Sequence, residues 1–232
     1  MEGPSARAAR VKVAVCNVAF GSWHPRGQAR LARSLDELAP DVERVFFDAL
    51  PPGCPSHDHL VAPYAFKAWA CRAAADAGAD IIVWCDASYW LVRPLDDVLA
   101  WTVEHGCWFH GPDNDLGAWT NDRTLAAFGL TRDEAMGHAM ILAGGFALDM
   151  RTRRGRDFLD RYQQGAADGL FAGHWSNADR SESPDPRCRG HRHDQSVASL
   201  LIREMGLPMT QRFVRFAHDV DESPTFLARG GA

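Results

Sequence analysis

Lysine is nearly missing from this 232-residue chain: Lys12 and Lys67 are the only two, and the rest of its 25 basic residues are arginine. Acidic residues outnumber basic ones, 30 to 25, for a net charge of -5. That balance argues against a broad electrostatic grip on nucleic acid or on an anionic membrane. Long apolar runs are absent too. Stretches such as AGADIIVWC fall far short of the roughly 20 residues a spanning helix needs, and MEGPSARAARVKVAVCNVAFG carries no signal-peptide core. The six cysteines, Cys16, Cys54, Cys71, Cys85, Cys107 and Cys188, show no C-x-x-C spacing. Without a secretory signal they are read as free thiols in a cytoplasmic protein. There is no internal repeat and no low-complexity tract. The Ala- and Arg-rich, Lys-poor composition points to a high-GC genome, which bears on origin rather than function.

What is present is the composition of an ordinary globular chain, 46% hydrophobic and 24% charged, and one large domain over 1–232 accommodates it. Apolar runs and breakers alternate. Val11 to Val18 reads as a strand, Gln28 to Leu38 as a helix and Val42 to Asp48 as a second strand. A helix from Ala65 to Ala77 ends at Gly78. IIVWC then reads as a strand buried on both faces, as in the middle of a parallel sheet. Further on, Leu95 to His105 is helical, CWFH is a short strand, Asn121 to His138 holds one or two helices, and Ile141 to Leu148 is a strand. Thr152 to Gln164 and Asp194 to Met205 close the pattern as helices. The alternation predicts an open α/β sheet, whose ligands gather at the carboxyl ends of the strands. Residues 172–193 stand apart: SNADRSESPDPRCRG has no apolar periodicity, and a loop of that length in a compact domain is read as an active-site lid rather than plain disorder.

The strand-end rule points at Asn17 and at Asp86. IIVWC delivers Asp86 to its carboxyl end, where nothing in the strand pattern calls for a charge. A carboxylate there is placed to hold Mg²⁺ or Mn²⁺ on substrate phosphates; the plainer alternative is that it caps the following turn. His191, His193 and Asp194 put three ligand-type side chains into four residues. In an extended stretch the two histidines share a face, so either is a candidate to ligate the same ion, or they serve phosphate or the helix start. Lys67, one of only two lysines, is a phosphate candidate or an exposed helix residue. Trp119 and Trp175, in polar surroundings, are candidates to stack on a sugar, whereas Trp84 belongs to the core.

At this point the chain resembles a family. Asp86-Ala87-Ser88 followed by Arg93-Pro94-Leu95-Asp96 is similar to the metal-site signature of GT-A-fold glycosyltransferases, with Ser88 in place of the second carboxylate. Ala143-Gly144-Gly145-Phe146-Ala147-Leu148 looks like their donor-sugar strand. His193-Asp194-Gln195-Ser196 resembles the D-Q element of retaining enzymes related to glycogenin and to bacterial lipopolysaccharide galactosyltransferases, and Tyr64-Ala65-Phe66-Lys67-Ala68-Trp69 resembles the K-x-W stretch before the metal strand.

The resemblance implies an open mixed, mostly parallel sheet flanked by helices. It also implies transfer of a hexose from a nucleotide diphosphate sugar to an acceptor, assisted by Mn²⁺ or Mg²⁺. Asp86 and Ser88 would then serve the metal, helped by His191 or His193. Asp194 and Gln195 would lie by the anomeric carbon or the sugar's hydroxyls. Gly144 and Gly145 would allow close backbone approach, Lys67 and Asn17 would contact donor phosphate and base, and Trp175 would stack on a sugar. Asp113, Asp115 and Asp122 are available as a base if the enzyme inverts. Two other readings compete: a metal-dependent hydrolase using Asp86 with the pairs His57/His59 and His191/His193, and a domain that binds a nucleotide sugar without consuming it.

Overall fold

The computed structural model describes residues 11–58, 60–216 and 225–228. Five strands form the main sheet: β1 (Val13–Val18), β2 (Glu43–Phe47), β3 (Ile81–Cys85), β5 (Cys107–Phe109) and β6 (Gly145–Asp149), in the order β2-β1-β3-β6-β5. β1 runs parallel to β2 and β3, while β6 opposes both β3 and β5. Four strands therefore point one way and β6 alone points back, so the sheet is mixed and mostly parallel. β3 sits at its centre with an antiparallel neighbour on one side, not between two parallel ones.

The two faces of the sheet are assigned by the pleat, because successive side chains point to opposite sides. Ile82 and Trp84 enter one core with Cys71 of α2 (Phe66–Asp76), Tyr162 of α6 (Arg153–Ala167) and Val197 of α7 (Asp194–Met205). Ile81, Val83 and Cys85 enter the other with Leu31 and Leu35 of α1 (His24–Leu38) and Val98 of α3 (Asp96–His105). Two short helices, α4 (Asp122–Ala127) and α5 (Arg132–Ala135), begin at Asn121 and Thr131, whose side chains accept from the N–H groups of Thr124 and Glu134. All six cysteines are free thiols. No helix among the described residues is long and apolar enough to cross a membrane.

Three departures from the sequence reading have physical causes. α1 begins at His24, upstream of Gln28, because Pro25 sits in its first turn, where a missing N–H costs no hydrogen bond. β6 begins only at Gly145, since the N–H groups of Met140, Ile141 and Leu142 are taken by Asn114 O, Ser199 Oγ and His110 O. A second sheet was not legible at all. β4 (Tyr89–Leu91), β7 (Val214–Phe216) and β8 (Phe226–Ala228) pair in the order β4-β8-β7, and three-residue strands are too short to show a period.

Candidate active site

Three chain segments meet at the carboxyl ends of β1 and β3. Asp86 follows β3, and its N–H donates to Gly144 O at 2.8 Å, just before β6. Lys67 lies in the first turn of α2 and Asp194 opens α7. The Lys67 ammonium stands 3.0 Å from Asp194 Oδ2 and 3.3 Å from Asp86 Oδ1, and it donates to Ala143 O at 2.9 Å. Trp84 Nε1 donates to Asp86 Oδ1 at 2.9 Å and Tyr162 Oη to Asp194 Oδ2 at 3.0 Å.

Burial divides the trio. The side chains of Lys67 and Asp194 are 4% and 5% exposed, whereas that of Asp86 is 35% exposed. Burial alone would lower the Lys67 ammonium, but the Asp194 and Asp86 carboxylates outweigh it and hold its pKa above the ordinary value. Burial raises both carboxylates, against the pull of Lys67. A lysine in a first helical turn opposes the helix dipole, so Lys67 owes its place to the two acids.

The entries to the two helices are strained in the same way. Tyr64 and His193 both have positive φ, 59° and 54°, a region that costs non-glycine residues roughly 1–3 kcal/mol and concentrates at functional sites. Their rings pack against each other, and Trp175 stands edge-on to His193. Beside Tyr64 opens a cleft of about 520 Å³, lined by Val18, Phe20, His57, Asp58 and Phe66 among others. His57 stacks on Phe20 with ring centroids 5.1 Å apart.

The remaining sequence candidates fall differently. Asn17 is fully buried: its amide donates to Cys85 O and accepts from Gln28 Nε2, which ties β1 to β3 and α1 and leaves nothing to meet a base. A Cβ at Gly144 or Gly145 would lie 2.6 or 2.9 Å from the Tyr89 ring, so packing explains both glycines without a sugar.

His191 and His193 are buried in the main chain of the loop. His191 faces Leu170 O through Nε2 and the Asn121 N–H through Nδ1, and His193 Nδ1 faces Phe171 O. Burial pushes the His191 pKa down to about 3. Of the candidate bases, Asp115 caps the N–H groups of Ala118 and Gly137, Asp122 pairs with Arg132 at 2.6 Å, and Asp113 is exposed. His59 lies outside the described residues.

His191 is tied to the main chain through both ring nitrogens and His193 through Nδ1. Among the described residues no three His, Cys, Asp or Glu side chains come together as a cation site. What exists is one partly exposed carboxylate at Asp86, with the partly exposed Ser88 two residues on. That donor set fits Mg²⁺ or Mn²⁺ if substrate phosphates and water complete the shell, as is common for these ions.

Sequence reasoning missed three contributors, Tyr64, Tyr162 and Gly27, and it singled out Gln195 without its surroundings. Tyr64 and Tyr162 are ordinary aromatics until their positions around Lys67 and Asp194 are known. Gln195 keeps Nε2 buried with no hydrogen-bond partner among the described residues. Gly27, where a Cβ would stand 2.0 Å from Ala87 O, lets α1 touch the Asp86-Ala87 turn.

Fold and site together define an α/β chain of the GT-A-like architecture. It has that architecture in common with solved glycosyltransferases. The galactosyltransferase LgtC, in complex with donor and acceptor sugar analogs, matches with a TM-score of 0.54 at 11% identity over 94% of this chain and 87% of that one. A glycosyltransferase involved in glycosylating the major capsid of PBCV-1 matches with 0.55 at 9% identity, over 95% and 94%. The bifunctional glycosyltransferase WbbM matches with 0.53 at 10% identity; 98% of this chain aligns, spanning 47% of that protein. No protein-family model and no curated protein matches the chain by sequence.

Proposed function

We propose that the chain is a glycosyltransferase that moves a hexose from a nucleoside diphosphate donor to an acceptor hydroxyl. The observation that carries this is the Lys67 bridge between Asp86, at the carboxyl end of β3, and Asp194, at the start of α7. It lies beside an aromatic cleft, at the strand-end position where open α/β sheets bind their ligands. The likeness to LgtC, solved with donor and acceptor sugar analogs, supports the reading.

In this reading the cleft of Phe20, Tyr64 and Phe66 takes the nucleoside, and Asp86 faces the diphosphate. Asp86, with Ser88 as a lesser ligand, would hold Mn²⁺ or Mg²⁺. When bound, the ion supplies Lewis-acid stabilisation of the charge on the departing diphosphate, which is worth several kcal/mol. Asp194, kept in place by Lys67 and Tyr162, lies by the transferred sugar, and the Gln195 amide donates to one of its hydroxyls. In the transfer the acceptor oxygen bonds to the anomeric carbon as the bond from that carbon to the diphosphate oxygen breaks. The electron pair leaves with the nucleoside diphosphate, which also takes up the acceptor's proton. Loop 172–193, which carries Trp175, serves as the wall or lid over the sugar. A cytoplasmic location suits a nucleotide-sugar donor.

A thermal-shift panel of nucleoside diphosphates and nucleotide sugars, with and without Mn²⁺, tests the binding part. A ligand at roughly a hundred times its Kd adds about 2.7 kcal/mol, or several degrees in Tm for a chain of this size. A shift with one base and its sugar conjugates is the expected result. No shift with any nucleotide sinks the reading.

A further inference from the structure

The cleft beside Tyr64 adjoins the trio of Lys67, Asp86 and Asp194. Loop 172–193 holds a guanidinium whose N–H edge has no partner among the described residues. Arg192 immediately precedes His193 and Asp194. Its guanidinium carbon lies 4.1 Å from the Trp119 ring centroid and 4.5 Å from that of Trp175. The backbone fixes both indoles: Arg192 N donates to Trp119 O at 3.1 Å, Arg189 N to Ala118 O at 2.8 Å and His191 N to His174 O at 2.8 Å. At Gly190 a Cβ would stand 2.0 Å from the Trp175 carbonyl oxygen, so only glycine lets the two arms of the loop touch.

Two indoles thus pack against the guanidinium as cation–π partners, and its N–H groups are the part left to bind a ligand. Among the described residues that edge makes no hydrogen bond or ion pair, and Nε is buried without a partner. The electrostatic neighbours that act on it are Asp113 and Tyr64. A rigid planar fork of this kind matches an oxyanion, since carboxylates and phosphates accept two parallel N–H bonds from arginine.

The surroundings point to which oxyanion. Trp119 also lines a second cleft of about 450 Å³, with Asn114, Asp115, Arg187 and Arg189. Arg187 is neutralised by Asp185 and Asp133, both at 2.7 Å. Arg189 is exposed and has no ion pair among the described residues. The described lining of the nucleoside cleft, by contrast, includes no arginine or lysine. Positive charge without an ion pair among the described residues therefore gathers around Trp119, at Arg192 and Arg189.

We propose, resting on the glycosyltransferase reading, that the acceptor is an acidic sugar whose carboxylate or phosphate ester is bound by Arg192 on the Trp119 side of the site. Arg189 extends the same positive edge. The donor's own diphosphate carries similar chemistry, and the test separates the two sources.

Tryptophan fluorescence of the full chain reads the event directly, because an anion on Arg192 perturbs the two indoles stacked on it. The probes are glucuronic acid, glucose 6-phosphate and neutral glucose, titrated with and without uridine or guanosine diphosphate. The two acidic sugars are expected to bind at least tenfold more tightly than glucose. Arg192→Gln removes that preference while nucleoside diphosphate affinity stays within threefold, and Arg192→Lys, which keeps the charge but not the fork, retains only part of it. Equal affinity for acidic and neutral sugars, or no binding of either, overturns the proposal. So does an Arg192→Gln variant that loses nucleoside diphosphate affinity and keeps the acid preference, since the arginine would then serve the donor. Should Arg192→Gln not fold, the exposed Arg189→Gln is expected to weaken acidic sugars at least threefold, and an unchanged preference counts against the proposal. Failure of the glycosyltransferase reading shows separately, as no nucleoside diphosphate affinity in the wild type.

Discussion

Tyr64 and His193 lie with ring centroids 5.7 Å apart, and each holds a left-handed backbone at the entry to a helix. α2 starts two residues after Tyr64 and α7 one residue after His193. The pair therefore sets where Lys67 and Asp194 emerge, and the contact between their rings keeps the two helix starts in register. Two of the three non-glycine residues with positive φ among the described residues thus lie beside the salt-bridged trio; the third, Arg180, lies in loop 172–193.

Lys67→Met is expected to destabilise the chain by about 3–5 kcal/mol, the usual cost of leaving a buried charge without its partner. Urea denaturation at pH 7 measures it. Asp86 and Asp194 have pKa values raised by burial, so the native state takes up protons at higher pH than the unfolded chain does. Without the ammonium that effect grows, and the variant regains stability relative to wild type between pH 7 and pH 5. A constant difference across that range would contradict the burial argument.

Asp86→Asn and Asp194→Asn separate the two acids. Asp86 is a third exposed, and its loss is expected to cost no more than about 1 kcal/mol, while any Mn²⁺ dependence of nucleoside diphosphate binding disappears. Asp194→Asn removes a buried charge that accepts from Lys67 and Tyr162, for about 2–3 kcal/mol. It lowers turnover far more than nucleotide affinity. Equal losses in both would make Asp194 a ground-state contact instead.

His110 supplies an acid-sensitive element outside the trio. It is buried with Nδ1 3.2 Å from Tyr89 Oη, and burial pushes its pKa down to about 4. Below pH 6.5 the unfolded chain binds a proton that the native state refuses, so stability falls as pH drops from 6.5 toward 4. The contribution is about 2 kcal/mol between pH 6.5 and 5. His110→Asn should flatten the pH dependence of chemical denaturation by that amount; an unchanged slope refutes the assignment.

Gly27→Ala tests how α1 is seated. The added methyl would stand 2.0 Å from Ala87 O, a backbone atom, so α1 or the Asp86-Ala87 turn must shift. Overpacking of this kind costs about 1–3 kcal/mol. A thermal melt should show the loss together with weaker nucleoside diphosphate binding. A fully stable variant with normal binding would mean that the turn tolerates displacement.

Much of the fold was legible because its strands are short apolar runs closed by breakers, with IIVWC the plainest. Asp86 stood out as a charge that its strand did not need, and Lys67 as one of two lysines. What sequence could not supply was partnership. Nothing local tells that Lys67 lies between Asp86 and Asp194, which are 108 residues apart in the numbering. The same gap misled on Asn17, a polar residue at a strand end whose amide is spent on Cys85 and Gln28. It misled on His191 as well, whose ring serves the backbone. Arg192 was overlooked between two histidines because its meaning comes from Trp119, 73 positions earlier.

Sugar transfer is proposed to take place at the Lys67-bridged acids. Its most direct test is nucleoside diphosphate release from a panel of nucleotide sugars with Mn²⁺ present, comparing wild type with Asp194→Asn. Without an acceptor, water takes the sugar, and each diphosphate released is matched by one free hexose. Release from one donor class by the wild type is expected, and at least a hundredfold less by the variant. Release from no donor, or equal release by both proteins, would contradict it.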